Sequence, residues 1–354
     1  MRVIHLMSTD DYSGAENVAI NIVNGLDNLG IEAYYATQKG KIDEFLYEKN
    51  VKKVIHIDKL SIREIKRIEK EYSPDIIHAH DYRASILAGI ACKKTKVIAH
   101  IHNNSTWIKN IFHPYSWAFL FANIKLDKIL LVSNAIKNEY VFSKLIRKKI
   151  EVIGNPVNRQ EILNQVREKD YQKKYDICCV ARIDEVKDPM KFIRVINKVK
   201  NQIPNIKSVW VGKGSLEEAT KRKIKELQLE NNIELVGFQK NPYKYMAASK
   251  IFMLTSVWEG YGLAAFEALT FGLPTITSKV GGLLDIVNSN CGKLCETENE
   301  FYEEIIKILN NENYYKEKSK NAINRSKELD NFEIYIETIN KIYNEIGGIY
   351  EENY

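Results

Sequence analysis

The stretch Ser256–Gly282, SVWEGYGLAAFEALTFGLPTITSKVGG, constrains the fold more than any other part of this 354-residue chain. An apolar run, Ile251–Thr255, leads into it and reads as a strand. Trp258-Glu259-Gly260-Tyr261-Gly262 reads as a turn. Leu263–Phe271, rich in Ala and Leu, reads as a helix carrying Glu267, which Gly272 and the nearby Pro274 bring to an end. Pro274–Ser278 is then a second strand, running toward Gly281-Gly282. Strand, glycine-rich turn, helix, strand puts backbone N–H groups and a helix N-terminus at the carboxyl end of a strand, a place that favours an anion. Two carboxylates beside such a place make sense if the anion also carries hydroxyl groups.

The same alternation runs through the rest of the chain. Strands fit Val3–Met7, Glu32–Ala36, Lys53–Ile57, Asp75–His80, Lys96–His102 and Lys128–Ser133. Helices fit between them, among them Ala15–Leu26, Ser61–Tyr72 and Arg83–Lys93, with apolar residues at helical spacing. This is a doubly wound α/β domain with a parallel sheet. Ile150–Asn158 looks like a strand entering a linker, and Gln160–Lys174 is polar. The α/β pattern then restarts: strands Asp176–Ala181, Lys207–Gly212 and Ile233–Val236, helices Pro189–Val199 and Glu217–Leu227. Phe301–Tyr354 reads as helical and polar. Two such domains are expected to face a cleft, with the ligand between them at the carboxyl ends of the strands.

Bulk properties exclude some classes. Hydrophobic content of 45% and charged content of 28% are those of an ordinary globular protein. The net charge of +6 is spread too thinly for a nucleic-acid groove, so no nucleic-acid partner is expected; weak attraction to an anionic membrane surface stays open beside a merely basic surface. The five cysteines form no C-x-x-C pair and read as buried thiols of a cytoplasmic protein. The N-terminus lacks the apolar core of a signal peptide, and no apolar run reaches the ~20 residues that span a bilayer.

Several residues are candidates for chemistry. Asp11–Glu16 lies between a strand and a helix, so Gly14 either lets the backbone approach a phosphate or belongs to a plain turn. Arg182 and Lys187 follow a strand; they clamp a diphosphate or are solvated charges. His78 and His80, like His100 and His102, share one face of a strand by the period of two. A metal there is discounted because neither pair has the spacing of a zinc motif; a polar ligand contact by His102 or His80 competes with packed or supporting histidines. Glu259 and Glu267 would lie ~12 Å apart on one continuous helix, too far to share a proton, so each is expected to hold a different hydroxyl of one extended ligand. The aromatic run Lys109–Lys128 reads as a buried crossover helix in preference to a lipid-facing one.

These blocks resemble glycosyltransferase family 4, retaining enzymes of the GT-B fold. Ser13-Gly14-Ala15-Glu16 resembles the family's Gly-Gly-Ala-Glu loop, with Ser13 in place of Gly. His100-Ile-His102-Asn103 resembles its first-domain histidine strand, and Val180-Ala181-Arg182 with Lys187 its Gly-Arg…Lys clamp, with Ala181 in place of Gly. Glu259…Glu267 resembles its E-x7-E signature, and Asn155-Pro-Val-Asn158 its hinge. Together they cover nearly the whole chain, and Ser105-Thr106-Trp107 is similar to the capsule and exopolysaccharide branch.

The resemblance implies an N-terminal acceptor-side domain at residues 1–158, a nucleotide-sugar domain at 159–334, and a last helix, residues 335–354, crossing back to the first domain. It implies transfer from a nucleotide diphosphate sugar, most often a UDP-sugar, to a glycan acceptor on a lipid diphosphate carrier, in a cytoplasmic enzyme peripheral to the membrane. Arg182 and Lys187 would stabilise the leaving diphosphate, Glu259 would contact the donor sugar, and His102 would face the transferred sugar. Glu267 would hold the ribose, Gly260, Tyr261, Gly262 and Leu263 the phosphates, Gly212 and Phe238 the nucleotide, and Ser13 and Gly14 would close on the phosphates. With no Asp-x-Asp motif, no metal and no cofactor are expected, and in the absence of a clear enzymic nucleophile the resemblance implies front-face transfer with retention. A UDP-sugar epimerase of the same architecture and a non-catalytic subunit of a transferase pair are the alternatives.

Overall fold

The computed structural model describes residues 1–348 apart from Asn28 and Asn104. It divides into two compact units, Met1–Pro156 with the segment from Asn331 onward, and Val157–Asp330. Each is built on one parallel sheet.

The first unit has seven strands: β1 (Arg2–Leu6), β2 (Glu32–Gln38), β3 (Val54–Ile57), β4 (Ile76–His80), β5 (Lys96–Ile101), β6 (Lys128–Leu131) and β7 (Ile150–Val152). Their spatial order is β3-β2-β1-β4-β5-β6-β7. The strands of this sheet are near-continuous apolar runs because helices cover both faces of a parallel sheet; every residue of β4 is buried. Register sets β1 His5 beside β4 His78, and β4 His80 beside β5 His100. The chain's last described helix, Phe332–Gly347, belongs to this unit. It lies against the helix Gly14–Asp27, where Gly25 leaves the room: a Cβ there would stand 2.6 Å from Ile336 Cδ1. The unit boundary at Asp330/Asn331 falls four residues ahead of the expected 334/335, because Asn331 opens the helix. Residues 349–354 of the expected C-terminal helix lie outside the described residues.

The second unit has six strands: β8 (Tyr175–Val180), β9 (Ser208–Val211), β10 (Ile233–Leu235), β11 (Ser249–Leu254), β12 (Thr275–Ser278) and β13 (Gly292–Cys295). Their order is β10-β9-β8-β11-β12-β13, so β8 and β11 are the central neighbours. The chain reverses winding direction between them, and the carboxyl ends of such a pair are where open α/β sheets bind ligands. The helix Leu263–Thr270 follows β11 as expected, ending at Gly272, whose φ is +70°. The polar stretch after the linker is more ordered than its composition suggests. It carries the short helix Arg159–Asn164, capped by the Asn158 side chain, which accepts from Glu161 N at 3.0 Å. All five cysteines are buried and free.

Candidate functional site

In the second unit, two loops at the carboxyl ends of β8 and β11 are stitched together. Val257 N donates to Val186 O at 2.7 Å, and the Thr255 hydroxyl bonds the carbonyls of Lys187 and Asp188 at 3.0 Å each. The stitching brings Lys187 Nζ onto Glu259 Oε1, an ion pair in which both side chains are largely buried. Ser256 Oγ donates to the same carboxylate oxygen at 2.9 Å. The expected clamp cation and the expected sugar carboxylate, 72 residues apart in sequence, are thus direct partners. Asp188 takes a left-handed φ of +43° to leave this loop and caps the helix Pro189–Lys200 by accepting from Lys191 N at 2.9 Å.

The glycines around Glu259 are there for close approach. Gly281 has φ +53°, and a Cβ on it would stand 1.8 Å from the Glu259 carbonyl oxygen; Gly282 N donates to that oxygen at 3.1 Å. Gly262, at φ +100°, opens the helix Leu263–Thr270 from a conformation that side chains disfavour. Tyr261 is buried, which pushes its hydroxyl up to about 12. Glu267 sits within the helix, and Tyr243 Oη donates to its Oε1 at 3.2 Å. Arg182, by contrast, is mostly exposed; its Nη2 is 3.1 Å from Asp184 Oδ2. Gly212 donates its N–H to Gly237 O at 2.8 Å, and Phe238 is half exposed just beyond. Arg182, Lys187, Glu259 and the 260–263 turn therefore all lie on loops at the carboxyl ends of neighbouring strands, where cationic and N–H groups suit an anion.

In the first unit, the Gly14 loop is organised by a carboxylate. Glu16 is buried in the first helical turn, with Ser13 Oγ on its Oε2 and Thr9 Oγ1 donating to its Oε1 at 2.9 Å. An acid at a helix N-terminus is favoured by the dipole. Ser13 is thereby tied to Glu16, while Gly14 begins the helix.

The histidine strands hold more than the sequence reading found. His102 does not stand alone: the buried His5, His78, His80 and His100 and the partly exposed His102 form one cluster. Two sets within it, His5/His78/His80 and His80/His100/His102, each bring three ring nitrogens within 4.8 Å of one another, a separation that a metal ion would also accept. Counting spacing within each strand missed them, because the sets are assembled across strands by register. Burial pushes His5 and His102 down to about 3. Burial, then the neighbouring rings, holds His78, His80 and His100 well below the usual histidine range. All five rings are neutral at physiological pH.

The aromatic run corrects one expectation. Its composition predicts a buried crossover over Lys109–Lys128, but the helix there, Pro114–Ala122, buries Ser116, Phe119 and Ala122 and leaves much of the rest outside. Phe112 is 90% exposed, Ile124 72%, Phe121 62% and Trp117 41%. A helix apolar around its whole circumference has one core-facing stripe, and the remainder faces solvent here. Among the described residues, no helix is long and apolar enough to cross a membrane.

The model of the family described as Glycosyltransferase Family 4 matches residues 12–161, and that described as Glycosyl transferases group 1 matches residues 160–327. An Escherichia coli UDP-Gal:alpha-D-GlcNAc-diphosphoundecaprenol alpha-1,3-galactosyltransferase is 28% identical over 247 residues, 64% of this chain and 63% of that one. The chain therefore spans under two thirds of that relative's length. A GalNAc-alpha-(1->4)-GalNAc-alpha-(1->3)-diNAcBac-PP-undecaprenol alpha-1,4-N-acetyl-D-galactosaminyltransferase of Campylobacter jejuni is 23% identical over 93% of this chain and 95% of its own. Among solved structures, HepE of Anabaena in complex with UDP superposes with a TM-score of 0.85 at 16% identity, covering 98% of this chain and all of that one. TarM gives 0.77 at 15% identity, covering 97% and 99%. These likenesses show the fold, a pair of Rossmann-like α/β units of the GT-B type.

Proposed function

Because this chain belongs to the family-4 glycosyltransferases of the GT-B fold, we propose that it moves a sugar from a nucleotide diphosphate donor, foremost a UDP-sugar, to a glycan on a lipid diphosphate carrier. The product belongs to a capsule, exopolysaccharide or related surface polysaccharide. The observation that carries the donor assignment is the Lys187–Glu259 ion pair, held beside the Gly260–Leu263 turn at the carboxyl ends of β8 and β11. On this reading a diphosphate draws Lys187 and the exposed Arg182 to itself. Glu259 is then free to accept from a hydroxyl of the donor sugar, as Ser256 already donates to it. The N–H groups of Gly260, Tyr261, Gly262 and Leu263 hold the phosphates, Glu267 the ribose, and Gly212 with Phe238 the nucleotide. On the first unit, Ser13 and Gly14 are donor-binding residues and His102 meets the transferred sugar.

The leaving group is the diphosphate, so stabilising its developing charge is the main catalytic task. Transfer is metal-independent and retaining on the pattern that the family resemblance implies, with cationic side chains serving the diphosphate. Proton NMR of the new anomeric linkage checks the stereochemistry; an inverted product overturns it. A chelator should leave the rate unchanged.

The exposed aromatic ledge supports association with an anionic membrane surface. Phe112, Trp117, Phe121 and Ile124 stand out from the first unit, with exposed Lys125, Lys144, Arg147 and Lys148 on the same segment of chain. Amphipathic aromatic and basic side chains suit the headgroup boundary. Co-sedimentation with anionic vesicles at low salt tests it, and no binding there dismisses it.

A further inference from the structure

The buried histidines form a single linear chain of hydrogen bonds. His102 Nε2 is 2.8 Å from His80 Nδ1, and His80 Nε2 is 3.0 Å from His5 Nδ1. His5 Nε2 is 3.4 Å from Tyr343 Oη, which is 2.6 Å from His78 Nδ1. His78 Nε2 is 3.1 Å from His100 Nδ1, and His100 Nε2 is 3.5 Å from Tyr335 Oη. Three strands and the helix Phe332–Gly347 contribute. Along the chain each imidazole is entered at Nδ1 and left at Nε2. The one loose end is His102 Nδ1, which is buried and has no hydrogen-bond partner among the described residues.

This order has a consequence for protons. A neutral imidazole carries one N–H and one lone pair, and each bond between two rings needs one proton. If His102 is protonated on Nε2, His80 must accept on Nδ1 and is itself protonated on Nε2, and so on through Tyr343 to His100. All five rings are then Nε2–H, or all five are Nδ1–H. A mixture leaves one bond with two protons or none. The two states differ at the ends. In the Nδ1–H state the loose end is a buried N–H with no acceptor among the described residues, whereas in the Nε2–H state it is a lone pair. Unpaired buried N–H groups are the rarer and costlier case.

We propose that the five histidines and Tyr343 act as one tautomeric unit that locks His102 as Nε2–H, and so presents Nδ1 as a preset acceptor for a hydroxyl of the ligand. His80, His5, Tyr343, His78 and His100 are positioning residues, acting on the ligand only through His102. The His102 ring is partly exposed while Nδ1 is covered, so a hydroxyl gains Nδ1 by displacing its cover. That the hydroxyl belongs to a sugar rests on the transferase reading; the locking does not. Satisfaction of the rings by one another also sets the metal alternative aside, since a metal bound by either triad would break at least one of these bonds.

Long-range 1H–15N NMR of the full chain, labelled at histidine and without ligand at pH 7.5, tests the proposal. The expected result is five neutral rings, all with the Nε2–H pattern. Mixed tautomers, a uniform Nδ1–H pattern or a protein that retains stoichiometric Zn2+ overturns it. Tyr343→Phe keeps the ring and removes the bridge. In the folded variant His5, His80 and His102 should lose their uniform pattern, because each state now leaves an N–H unpaired at one end; an unchanged His102 overturns the coupling. If that variant does not fold, the wild-type spectrum alone decides. Where transfer is measurable, Tyr343→Phe should lower kcat about tenfold, the worth of one buried hydrogen bond, with the donor KM within about twofold. Absence of transfer with an intact Nε2–H pattern would count against the function and leave the locking standing.

Discussion

Lys187 and Glu259 in the second unit, and the five buried histidines in the first, occupy the same kind of place: the region of strand ends in a parallel sheet. They handle charge in opposite ways. The second unit keeps its charges and neutralises them in pairs, with Lys187 on Glu259 and Arg182 beside Asp184. The first unit holds titratable rings so deeply that they stay uncharged, and satisfies them by hydrogen bonds to one another. A charged pair can exchange one partner for an anionic ligand. A neutral network offers direction, as one acceptor or one donor. The difference separates a place suited to a diphosphate from one suited to a hydroxyl.

Acid should break the comparison most severely. All seven histidines of the chain lie before Pro156, so none is in the second unit. On unfolding, each buried ring regains the ordinary value of 6.5, while folded His5 and His102 hold near 3 and the other three are also well depressed. The unfolded chain therefore binds more protons below pH 6.5. Stability is fully present above that value and is lost as pH falls, by about 1.4 kcal/mol per ring per pH unit. Several rings depressed together make this loss large on the scale of a domain's stability. Circular dichroism and near-ultraviolet spectra during acid titration should show the first unit unfolding near pH 5 while the second persists. Simultaneous loss of both, or stability at pH 4, contradicts the neutral network.

Next in size is the effect of taking one member from the charged pair. Glu259→Ala and Lys187→Ala should each lower transfer by ~10²–10³. Lys187→Ala also leaves Glu259 a buried carboxylate supported by Ser256, and should cost about 2–3 kcal/mol in denaturant melts. The double variant should be less destabilised than the sum of the two, a coupling that a double-mutant cycle reads directly. Strict additivity would mean that the pair is not formed in solution.

Gly281→Ala probes the turn beneath Glu259 without touching any charge. Its Cβ would overlap the Glu259 carbonyl, and its φ is unfavourable for alanine. A loss of roughly 3 kcal/mol is expected, with donor affinity falling in step; a neutral substitution would show that the turn is not packed as described. The smallest effect belongs to the exposed ledge. Phe112→Ser with Phe121→Ser, the two most exposed rings of the ledge, should leave thermal stability within about 0.5 kcal/mol and reduce vesicle binding severalfold, and unchanged binding would remove the ledge from the membrane reading.

Much of the fold was legible because parallel strands are short apolar runs bounded by turn residues, and the helices between them keep one spacing. The E-x7-E stretch, its turn and its terminating glycine stand where the sequence puts them. What was not legible depended on register and side. Period two puts His78 with His80, but only the pairing of β1 with β4 brings His5 beside them. No local pattern ties Tyr343 to His78, 265 residues earlier. Lys187 and Glu259 each read as a ligand contact, and their direct pairing needed β8 and β11 to be neighbours. Pro114–Ala122 is apolar on every face, so periodicity could not say which face is covered.

Nucleotide release from a panel of nucleotide sugars tests the donor site most directly, with the purified full chain compared with Glu259→Ala. The expected result is slow release of UDP from at least one UDP-sugar by the wild type, accelerated by a glycan acceptor and reduced ~100-fold or more in the variant. Equal release by both proteins, or conversion of the sugar without any release, would contradict a glycosyl donor site at Lys187 and Glu259.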